Sequence, residues 1–393
     1  MNIAILGFGT VGGGVYDIVN QAQTSDLHNL NITHILIRKG KDKTLPIMCD
    51  DIKEIIEDEN VDIVIEALGG IEPAHTYILQ ALRHQKHVVS ANKAVIATYF
   101  QEFLECAAKH QVHFYYEAST GGGIPWIHAL QQSMRIDSIS CLHGILNGTS
   151  NYILDHMQRN NIPFQFALQQ AQELGYAEKD PTADLEGYDL ANKIRISASL
   201  AFQCPITDKF PMYGIRTITK EDIQFFLKHN LQVRYVAKAI ATTDHYGIVV
   251  EPTLFHQRDL EANVMDNYNL VTLYGKTIGK LAFYGQGAGK LPTANAILQD
   301  CIDIVNNQQH PSVQLASSML YDSTLLHSDY IVRCNSEALK LLYHIEYTMD
   351  ETNTYLYIKH INTTHMHDLM QLITACDPLA FMASIHHEED CLC

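Results

Sequence analysis

The first part of the chain alternates short apolar runs with longer amphipathic segments. Apolar runs such as NIAIL, NITHILI, VDIVIEAL, KHVVS and VHFYY predict buried strands. Segments between them, such as EPAHTYILQALRHQ, space their apolar residues at helical intervals. Strands that alternate with helices form a parallel sheet with helices on both faces. The pattern therefore predicts an α/β domain over residues 1–130.

The hydrophobic pattern changes twice in the rest of the chain. Strand candidates such as ISCLHGIL and YVAKAIATT, with a long helix beginning near Tyr188, predict an α+β domain over residues 131–284. A glycine turn and a helix over residues 285–310 are expected to complete the first domain. Strand and helix then alternate in β-α-β-α-β order, which predicts a small ferredoxin-like domain over residues 325–393.

Composition and charge narrow the class of protein. The 393 residues are 47% hydrophobic and 18% charged, as in globular enzymes. The net charge of −17 argues against a nucleic-acid partner, which would need clustered basic residues. No 18-residue apolar run predicts a membrane span, and the start of the chain does not resemble a signal peptide. We interpret the nine scattered cysteines as reduced, mostly buried thiols of a cytoplasmic protein.

A glycine motif lies between the first predicted strand and helix. Gly7 permits a tight turn, Gly9 lets the backbone approach a pyrophosphate, and Gly12 lets the helix pack closely on the strand. The helix N-terminus then faces the phosphates. This context predicts a Rossmann-type dinucleotide-binding domain whose loop consists of Gly7, Phe8, Gly9, Thr10, Val11 and Gly12.

The end of the second predicted strand bears on the choice of cofactor. NAD binding usually places an acid there, on the ribose 2′-hydroxyl. Here Arg38 and Lys39 follow the strand, which favours the 2′-phosphate of NADP, with NAD as the alternative. The turn Gly285–Lys290 lacks the spacing of a nucleotide-triphosphate loop. We interpret it as a glycine turn before a helix, with Gly287 close to the dinucleotide.

Two further stretches could bind metal ions. Glu117 precedes a run of three glycines, whose carbonyls could bind a hard cation or whose flexibility could serve as a hinge. Spacing alone favours the hinge. The C-terminal region has five histidines between His360 and His387 and ends EEDCLC. No closed ligand spacing is evident there, and a frayed end is the favoured interpretation.

The stretch Glu178–Lys193 contains five carboxylates and two lysines. Gly187 divides it into a loop and the start of a helix, so that Asp189 and Lys193 lie four residues apart on one helical face. The apolar sequence that follows predicts that Lys193 is half buried. A half-buried lysine beside a carboxylate can serve as a proton donor to a carbonyl that receives hydride. A structural ion pair explains the spacing equally well.

Six ordered motifs give a more specific resemblance. They are GFGTVGGG, SANK, YEASTGGGIP, GILNGTSNYIL, GYAEKDPTADLEGYDLANK and GAGKLPTANAIL. Over roughly residues 1–310 the chain resembles homoserine dehydrogenases, which interconvert L-aspartate 4-semialdehyde and L-homoserine with NAD(P)H on the route to threonine, methionine and isoleucine. The resemblance also implies a homodimer paired through the substrate domain.

The resemblance implies roles for individual residues. Lys193 matches a lysine that donates a proton to the aldehyde oxygen, and Lys93 matches a second lysine beside nicotinamide and substrate. Asp184 and Asp189 match acids that orient the lysine, the substrate and a water. Glu178 matches a carboxylate that holds the substrate amino group, and the substrate is also contacted by Asn147, Gly148 and Thr149. Ser90 matches a cofactor contact. A monovalent cation, expected to be sodium, is implied at Glu117 and the carbonyls of Thr120, Gly122 and Ile124. The implied cation site replaces the hinge that spacing alone favoured at the glycine run.

The C-terminal region lies where many such enzymes have an ACT regulatory module. That module usually has a Pro-Gly turn after its first strand, whereas this chain reads YIVRCNSEALK. We therefore expect an ACT-like domain and do not predict feedback inhibition by threonine. Two alternatives stay open from the sequence. They are a dehydrogenase for a different amino-acid aldehyde and a non-catalytic sensor that binds NADP and an amino acid.

Overall fold

The computed structural model describes residues 1–21, 24–308, 310–311, 313–316, 318–352 and 354–391. The chain forms two compact units. The first unit comprises Met1–Ile136, Arg195–Thr207 and Gly285–Ser317, and the second comprises Asp137–Ile194, Asp208–Tyr284 and Ser318–Cys393. The sequence assigned residues 195–207 to the middle domain. The structure groups them with the first unit because the second half of a long apolar helix packs there, where Trp126 Nε1 donates to Ser197 Oγ at 2.9 Å.

Strands occupy the positions that the apolar runs predicted, and further strands follow in the second unit. In the described residues they are β1 (Asn2–Leu6), β2 (Asn31–Leu36), β3 (Met48–Cys49), β4 (Ile63–Glu66), β5 (His87–Ser90), β6 (Phe114–Tyr115), β7 (Ile139–Ile145), β8 (Leu231–Ala241), β9 (His245–His256), β10 (Tyr268–Gly275), β11 (Gly279–Gln286), β12 (Leu320–Tyr321), β13 (His327–Arg333), β14 (Tyr347–Met349), β15 (Tyr355–Asn362) and β16 (Phe381–Ile385).

Helices lie between most of these strands. In the described residues they are α1 (Thr10–Asn20), α2 (Lys53–Ile56), α3 (Ala74–Arg83), α4 (Lys93–His110), α5 (Trp126–Ser133), α6 (Gly148–Asn160), α7 (Phe164–Glu173), α8 (Thr182–Leu185), α9 (Tyr188–Phe202), α10 (Lys220–Lys228), α11 (Lys290–Val305), α12 (Ser336–Leu339) and α13 (Thr363–Cys376).

The first unit contains a parallel sheet with the order β3-β2-β1-β4-β5-β6. This is the strand order of a Rossmann fold, in which the order reverses beside β1 and a ligand binds at that switch point. Fully buried residues such as Ile3, Ile5 and Ile63 form its core with α11 residues such as Ile297. The predicted parallel α/β architecture is confirmed.

The second unit contains a mixed sheet with the order β11-β10-β7-β8-β9-β16-β13-β15-β14, with β12 paired to β9. Strands β7, β8 and β9 are antiparallel neighbours. The C-terminal region joins this sheet because β16 runs parallel to β9, with Ser384 opposite Thr253. Its elements follow one another as β13-α12-β14-β15-α13-β16. The ACT-like character of this region stays a prediction.

The prediction of a frayed C-terminus is wrong for the described residues. His367 Nε2 lies 2.7 Å from Glu251 Oε2, and both side chains are buried. His386 and Cys391 are buried as well, because they follow β16 within the mixed sheet and the turn that carries Cys391 packs against β7. Residues 392 and 393 lie outside the described residues. No described helix is long and apolar enough to cross a membrane.

Candidate active site

The glycine turn after β1 has the geometry that the motif predicted. Gly7 has a φ of +99°, and a Cβ there would lie 2.8 Å from the carbonyl oxygen of Ala67. A Cβ on Gly12 would lie only 2.0 Å from the Gly7 carbonyl oxygen, so only glycine fits at this crossing of turn and helix. A Cβ on Gly9 would meet nothing within 4 Å. The open side of the turn therefore lies at Gly9, which caps α1 without a side-chain hydrogen bond.

Helix α11 packs against α1 within the first unit. A Cβ on Gly14 would lie 2.6 Å from the backbone oxygen of Lys290, so the two helices approach closely at this glycine. The Lys290 amino group lies 2.6 Å from Asp17 Oδ2 on the surface of the same helix pair. Gly285–Ser317 groups with the first unit, and α11 packs there against α1.

Arg38 and Lys39 lie in the turn after β2, at the carboxyl edge of the parallel sheet. Both side chains are exposed, and Gly40 has a φ of +81°, which turns the chain. The Lys41 amide donates to the Arg38 carbonyl oxygen at 3.1 Å, which closes the turn. The two cationic groups are therefore presented to solvent at the edge where a Rossmann fold binds its ligand.

A buried carboxylate that the sequence analysis missed organises the ends of β4 and β5. Glu66, fully buried, accepts hydrogen bonds from Ser90 Oγ at 2.6 Å, the Leu68 amide at 2.9 Å and Asn92 Nδ2 at 3.3 Å. Burial raises the pKa of Glu66, and these donors oppose the shift. The hydroxyl of Ser90, a predicted cofactor residue, thus donates its hydrogen to Glu66. The position of Glu66 inside the apolar run VDIVIEAL could have predicted a buried carboxylate.

Lys93 begins helix α4 next to this cluster. The preceding Asn92 caps the helix with its side-chain oxygen, which accepts from the Val95 amide at 3.4 Å. The Asn92 amide nitrogen also donates to the Gly70 carbonyl oxygen at 2.7 Å. Lys93 is partly buried. The backbone that carries Lys93 is therefore fixed by a cap that is itself bonded to the end of β4 and to the loop at Gly70.

The predicted cation-binding residues surround the N-terminus of α5. Glu117 Oε1 accepts from the Ile127 amide at 2.9 Å, and Oε2 accepts from the His128 amide at 2.8 Å. Burial raises the pKa of Glu117 to about 7. A second buried acid, Asp300 on α11, accepts from the Glu117 amide at 2.9 Å, and its pKa is raised well above its usual range by burial and by Glu117. Asp300 was not predicted.

The glycine run that follows Glu117 packs tightly against the turn before α11. Gly122 has a φ of +57°, and a Cβ there would lie 2.4 Å from the carbonyl carbon of Gly287. The Gly123 amide donates to the Gln286 carbonyl oxygen at 3.0 Å. Gly287 therefore lies against the predicted cation loop. In the same loop, Thr120 Oγ1 is buried with no hydrogen-bond partner among the described residues.

In the second unit, Asn147 links two of the predicted acids. It follows β7 and caps α6, where its side-chain oxygen accepts from the Ser150 amide at 2.7 Å. Its Nδ2 donates to Asp184 Oδ1 at 2.7 Å and to Asp189 Oδ2 at 2.9 Å. Burial raises the pKa of Asp184, and the Asn147 amide opposes this shift. Residues far apart in sequence therefore form one network.

Lys193 extends the same network. Its Nζ lies 2.8 Å from Asp189 Oδ2 and 2.5 Å from the Leu146 carbonyl oxygen. The shared helical face predicted for Asp189 and Lys193 is confirmed, but Lys193 is buried rather than half buried, with 6% of its surface exposed. Gly187, at a φ of +85°, precedes α9, and a Cβ there would lie 2.4 Å from the Tyr235 hydroxyl oxygen.

The remaining predicted substrate residues lie around this network. Thr149 Oγ1 donates to the Tyr176 carbonyl oxygen at 2.6 Å. A Cβ on Gly148 would lie 2.7 Å from the Asn267 carbonyl oxygen, which requires glycine at the start of α6. Glu178 is exposed, and among the described residues Gln172 donates to its backbone oxygen at 3.1 Å. Its carboxylate is therefore presented to solvent.

Comparison with known proteins identifies the family of this chain. Residues 125–302 match the family model for homoserine dehydrogenase, and residues 7–117 match the model for the homoserine dehydrogenase NAD-binding domain. The chain is 35% identical over 319 residues to homoserine dehydrogenase of Bacillus subtilis (strain 168), covering 79% of this chain and 74% of that protein. The chain belongs to the homoserine dehydrogenase family.

Two further relatives agree with this assignment. Homoserine dehydrogenase of Synechocystis sp. is 39% identical over 317 residues, covering 78% of this chain and 73% of that protein. The crystal structure of a homoserine dehydrogenase from Thiobacillus denitrificans superposes with a TM-score of 0.86 at 28% identity, covering 98% of each chain. The chain is thus an NAD(P)-dependent oxidoreductase that interconverts L-aspartate 4-semialdehyde and L-homoserine. The two alternatives left open by the sequence lose their support.

Proposed function

We propose that Asp184, Asn147, Asp189 and Lys193 form the proton-transfer site of this homoserine dehydrogenase, with Lys193 as the proton donor. The observation that carries the proposal is the hydrogen-bond chain itself, in which one amide joins two carboxylates and one of these holds the lysine. A surface ion pair does not need such a chain. A group that must present a proton to one atom does need its orientation fixed.

The reaction needs one hydride and one proton for each aldehyde reduced. When bound, the reduced nicotinamide supplies the hydride to the carbonyl carbon. Lys193 gives a proton to the carbonyl oxygen, so that the product is the alcohol, and it takes the hydroxyl proton back in the reverse direction. Asp189 holds the Lys193 amino group at 2.8 Å through both directions. Burial of both side chains excludes the water that would compete for that proton.

We assign the neighbouring residues to the substrate. The exposed carboxylate of Glu178 binds the substrate amino group, for which it has the complementary charge. Asp184, held by the hydrogen bond from Asn147, orients the substrate and a water. The substrate carboxylate binds at the N-terminus of α6, where backbone amides favour an anion. The residues that contact it there are Asn147, Gly148 and Thr149.

The cofactor proposal rests on residues of the first unit. The open backbone at Gly9 and the uncapped start of α1 fit a pyrophosphate. Arg38 and Lys39 fit a 2′-phosphate, so NADP is the preferred cofactor. Lys93 serves as the second active-site lysine, held by the Asn92 cap, and Ser90 and Gly287 complete the cofactor contacts.

We further propose a sodium ion at Glu117 with the carbonyl oxygens of Thr120, Gly122 and Ile124. Two buried acids near one another, Glu117 and Asp300, favour a cation at this loop. Each Glu117 oxygen accepts a hydrogen bond from one backbone amide and retains a lone pair for an ion.

We also propose that the C-terminal βαββαβ segment is an ACT-like module without threonine binding, and that the enzyme is a cytoplasmic homodimer paired through the second unit.

Steady-state kinetics tests the main proposal. NADPH absorbance is followed with L-aspartate 4-semialdehyde, and NADH replaces NADPH in a parallel series. We expect turnover with both cofactors and a higher kcat/KM with NADPH. A folded protein that binds NADPH without turnover would contradict the enzymatic assignment. Threonine added at saturating concentration is expected to leave the rate unchanged.

A further inference from the structure

Three metal-ligand side chains from distant parts of the sequence meet in the second unit. Cys141 and His143 are two residues apart on β7, so they project from the same face of the strand. Cys391 comes from the short 3-10 helix Glu388–Cys391, after β16. The Cys391 sulfur lies 2.6 Å from the Cys141 sulfur and 3.9 Å from His143 Nδ1. All three ligand atoms lie within 4.8 Å of one another, and all three residues are buried.

The far side of the imidazole is held as metal-bound histidines usually are. His143 Nε2 lies 2.8 Å from Glu261 Oε1, and both side chains are almost completely buried. Lys280 Nζ lies 3.3 Å from the same oxygen and balances its charge. In metal sites the non-ligating ring nitrogen typically donates to a carboxylate, which fixes the tautomer. With the hydrogen of Nε2 donated to Glu261, Nδ1 presents its lone pair towards Cys391.

Two buried polar atoms beside the three ligands could bond to a fourth ligand. Tyr274 Oη and Glu261 Oε2 are buried and have no hydrogen-bond partner among the described residues. Buried polar atoms normally have hydrogen-bond partners, and a metal-bound water would supply one to these two atoms.

We propose that Cys141, His143 and Cys391 bind a zinc ion that fastens the C-terminus to β7, with a water as the fourth ligand. Thiolate and imidazole ligands together select zinc among the common divalent cations. Binding releases the thiol protons to solvent, so that both sulfurs coordinate as thiolates. Thiolates on one tetrahedral zinc stand about 3.7 Å apart, so the two sulfurs separate by about 1 Å on binding.

Metal analysis of the full-length protein tests the site. The protein is purified with a reducing agent and without chelator, then dialysed against zinc and against metal-free buffer. We expect about one zinc per chain to survive dialysis. C141S and C391S should each lower bound zinc at least roughly tenfold. The matched control is C376S, which changes an exposed cysteine on α13 and should retain the metal. Retention of zinc by C391S would overturn the proposal.

Two further measurements keep the test decisive if a variant folds poorly. Cobalt replaces zinc in the wild-type protein, and thiolate-to-cobalt charge transfer should appear in the near-ultraviolet spectrum without any substitution. Glu261→Gln keeps the three ligands and should weaken zinc binding roughly 10- to 100-fold. Absence of the charge-transfer band would overturn the proposal. A Cys141–Cys391 linked peptide in digests prepared without reductant, lost on reduction, would also overturn it by showing a disulfide in place of the metal site.

Discussion

The Lys193 amino group lies 2.8 Å from the Asp189 carboxylate one helical turn away, and each residue is 6% exposed. A buried ion pair is weak evidence for stability, because desolvation of both charges offsets their attraction. This pair is also held by outside partners, since Asn147 donates to Asp189 and the Leu146 carbonyl accepts from Lys193. The arrangement fixes the direction of one amino group, which is what proton donation requires.

Replacing Lys193 should therefore impair chemistry more than cofactor binding. We expect Lys193→Ala to lower kcat by roughly 10²- to 10⁴-fold, the usual range for loss of a general acid. NADPH affinity, measured by fluorescence titration, should change little because the residues that we assign to the dinucleotide lie in the first unit.

The matched control is Lys179→Ala, which removes an exposed lysine from the same charged stretch. Its kcat should stay close to that of the wild-type enzyme. Since a buried charged partner is left behind at Asp189, thermal melting of Lys193→Ala must be measured beside the kinetics. A folded Lys193→Ala enzyme with near-normal kcat would exclude the proton-transfer role.

The glycine turn allows a sharp comparison between neighbouring positions. A Cβ on Gly12 would lie 2.0 Å from the Gly7 carbonyl oxygen, whereas a Cβ on Gly13 would meet nothing within 4 Å. We expect Gly12→Ala to lower the free energy of unfolding by roughly 1–3 kcal/mol or more and to weaken NADPH binding. Gly13→Ala should be neutral or stabilise α1 by up to about 1 kcal/mol. Urea unfolding curves of both variants measure the difference, and equal effects would contradict this account.

Local patterns predicted most of the first unit and the core of the candidate site. Strand and helix periods depend on neighbouring residues, so the parallel sheet and the glycine turn could be derived from the sequence. The pairing of Asp189 with Lys193 also follows from helical spacing. Its burial was underestimated, because burial depends on what packs over α9 and not on the helix alone.

Contacts between distant residues could not be predicted in this way. Asn147 donates to Asp184 and Asp189 across 37 and 42 residues, which no local period encodes. Asp300 lies near Glu117 only because α11 packs against the first sheet. His367, His386 and Cys391 are buried against the mixed sheet for the same reason. The spacing of these residues along the chain does not predict their contact with Cys141 and His143.

Cofactor choice should depend on the basic turn after β2. Arg38 and Lys39 are exposed and have no role in the core. We expect the double variant Arg38→Ala/Lys39→Ala to raise the KM for NADPH roughly ten- to hundredfold, the effect of losing charged hydrogen bonds to a 2′-phosphate. The KM for NADH should hardly change. The control is Lys41→Ala, an exposed lysine in the same turn, and equal losses with NADH and NADPH would contradict the assignment.

The pKa of Glu117, raised to about 7 by burial, makes the stability of the first unit depend on pH. A carboxyl group with a raised folded pKa contributes stability that is present below its unfolded pKa near 4.5 and is lost as pH rises through about 7. Without sodium, we therefore expect the unfolding free energy to fall between pH 5 and pH 7.5, by up to about 3 kcal/mol. Glu117→Gln, which has no titrating group, should flatten this slope.

Sodium should reverse that loss, because a cation binds the ionised carboxylate and favours its charged form. We expect sodium chloride to raise the melting temperature above that in choline chloride of equal ionic strength at pH 8. The difference should largely disappear at pH 6, where Glu117 is mostly protonated, and should be absent in Glu117→Gln at both pH values. Equal ionic strength removes general screening as an explanation. A sodium effect that persists in Glu117→Gln would place the ion elsewhere, and a sodium effect stronger at pH 6 than at pH 8 would contradict the assigned direction of titration.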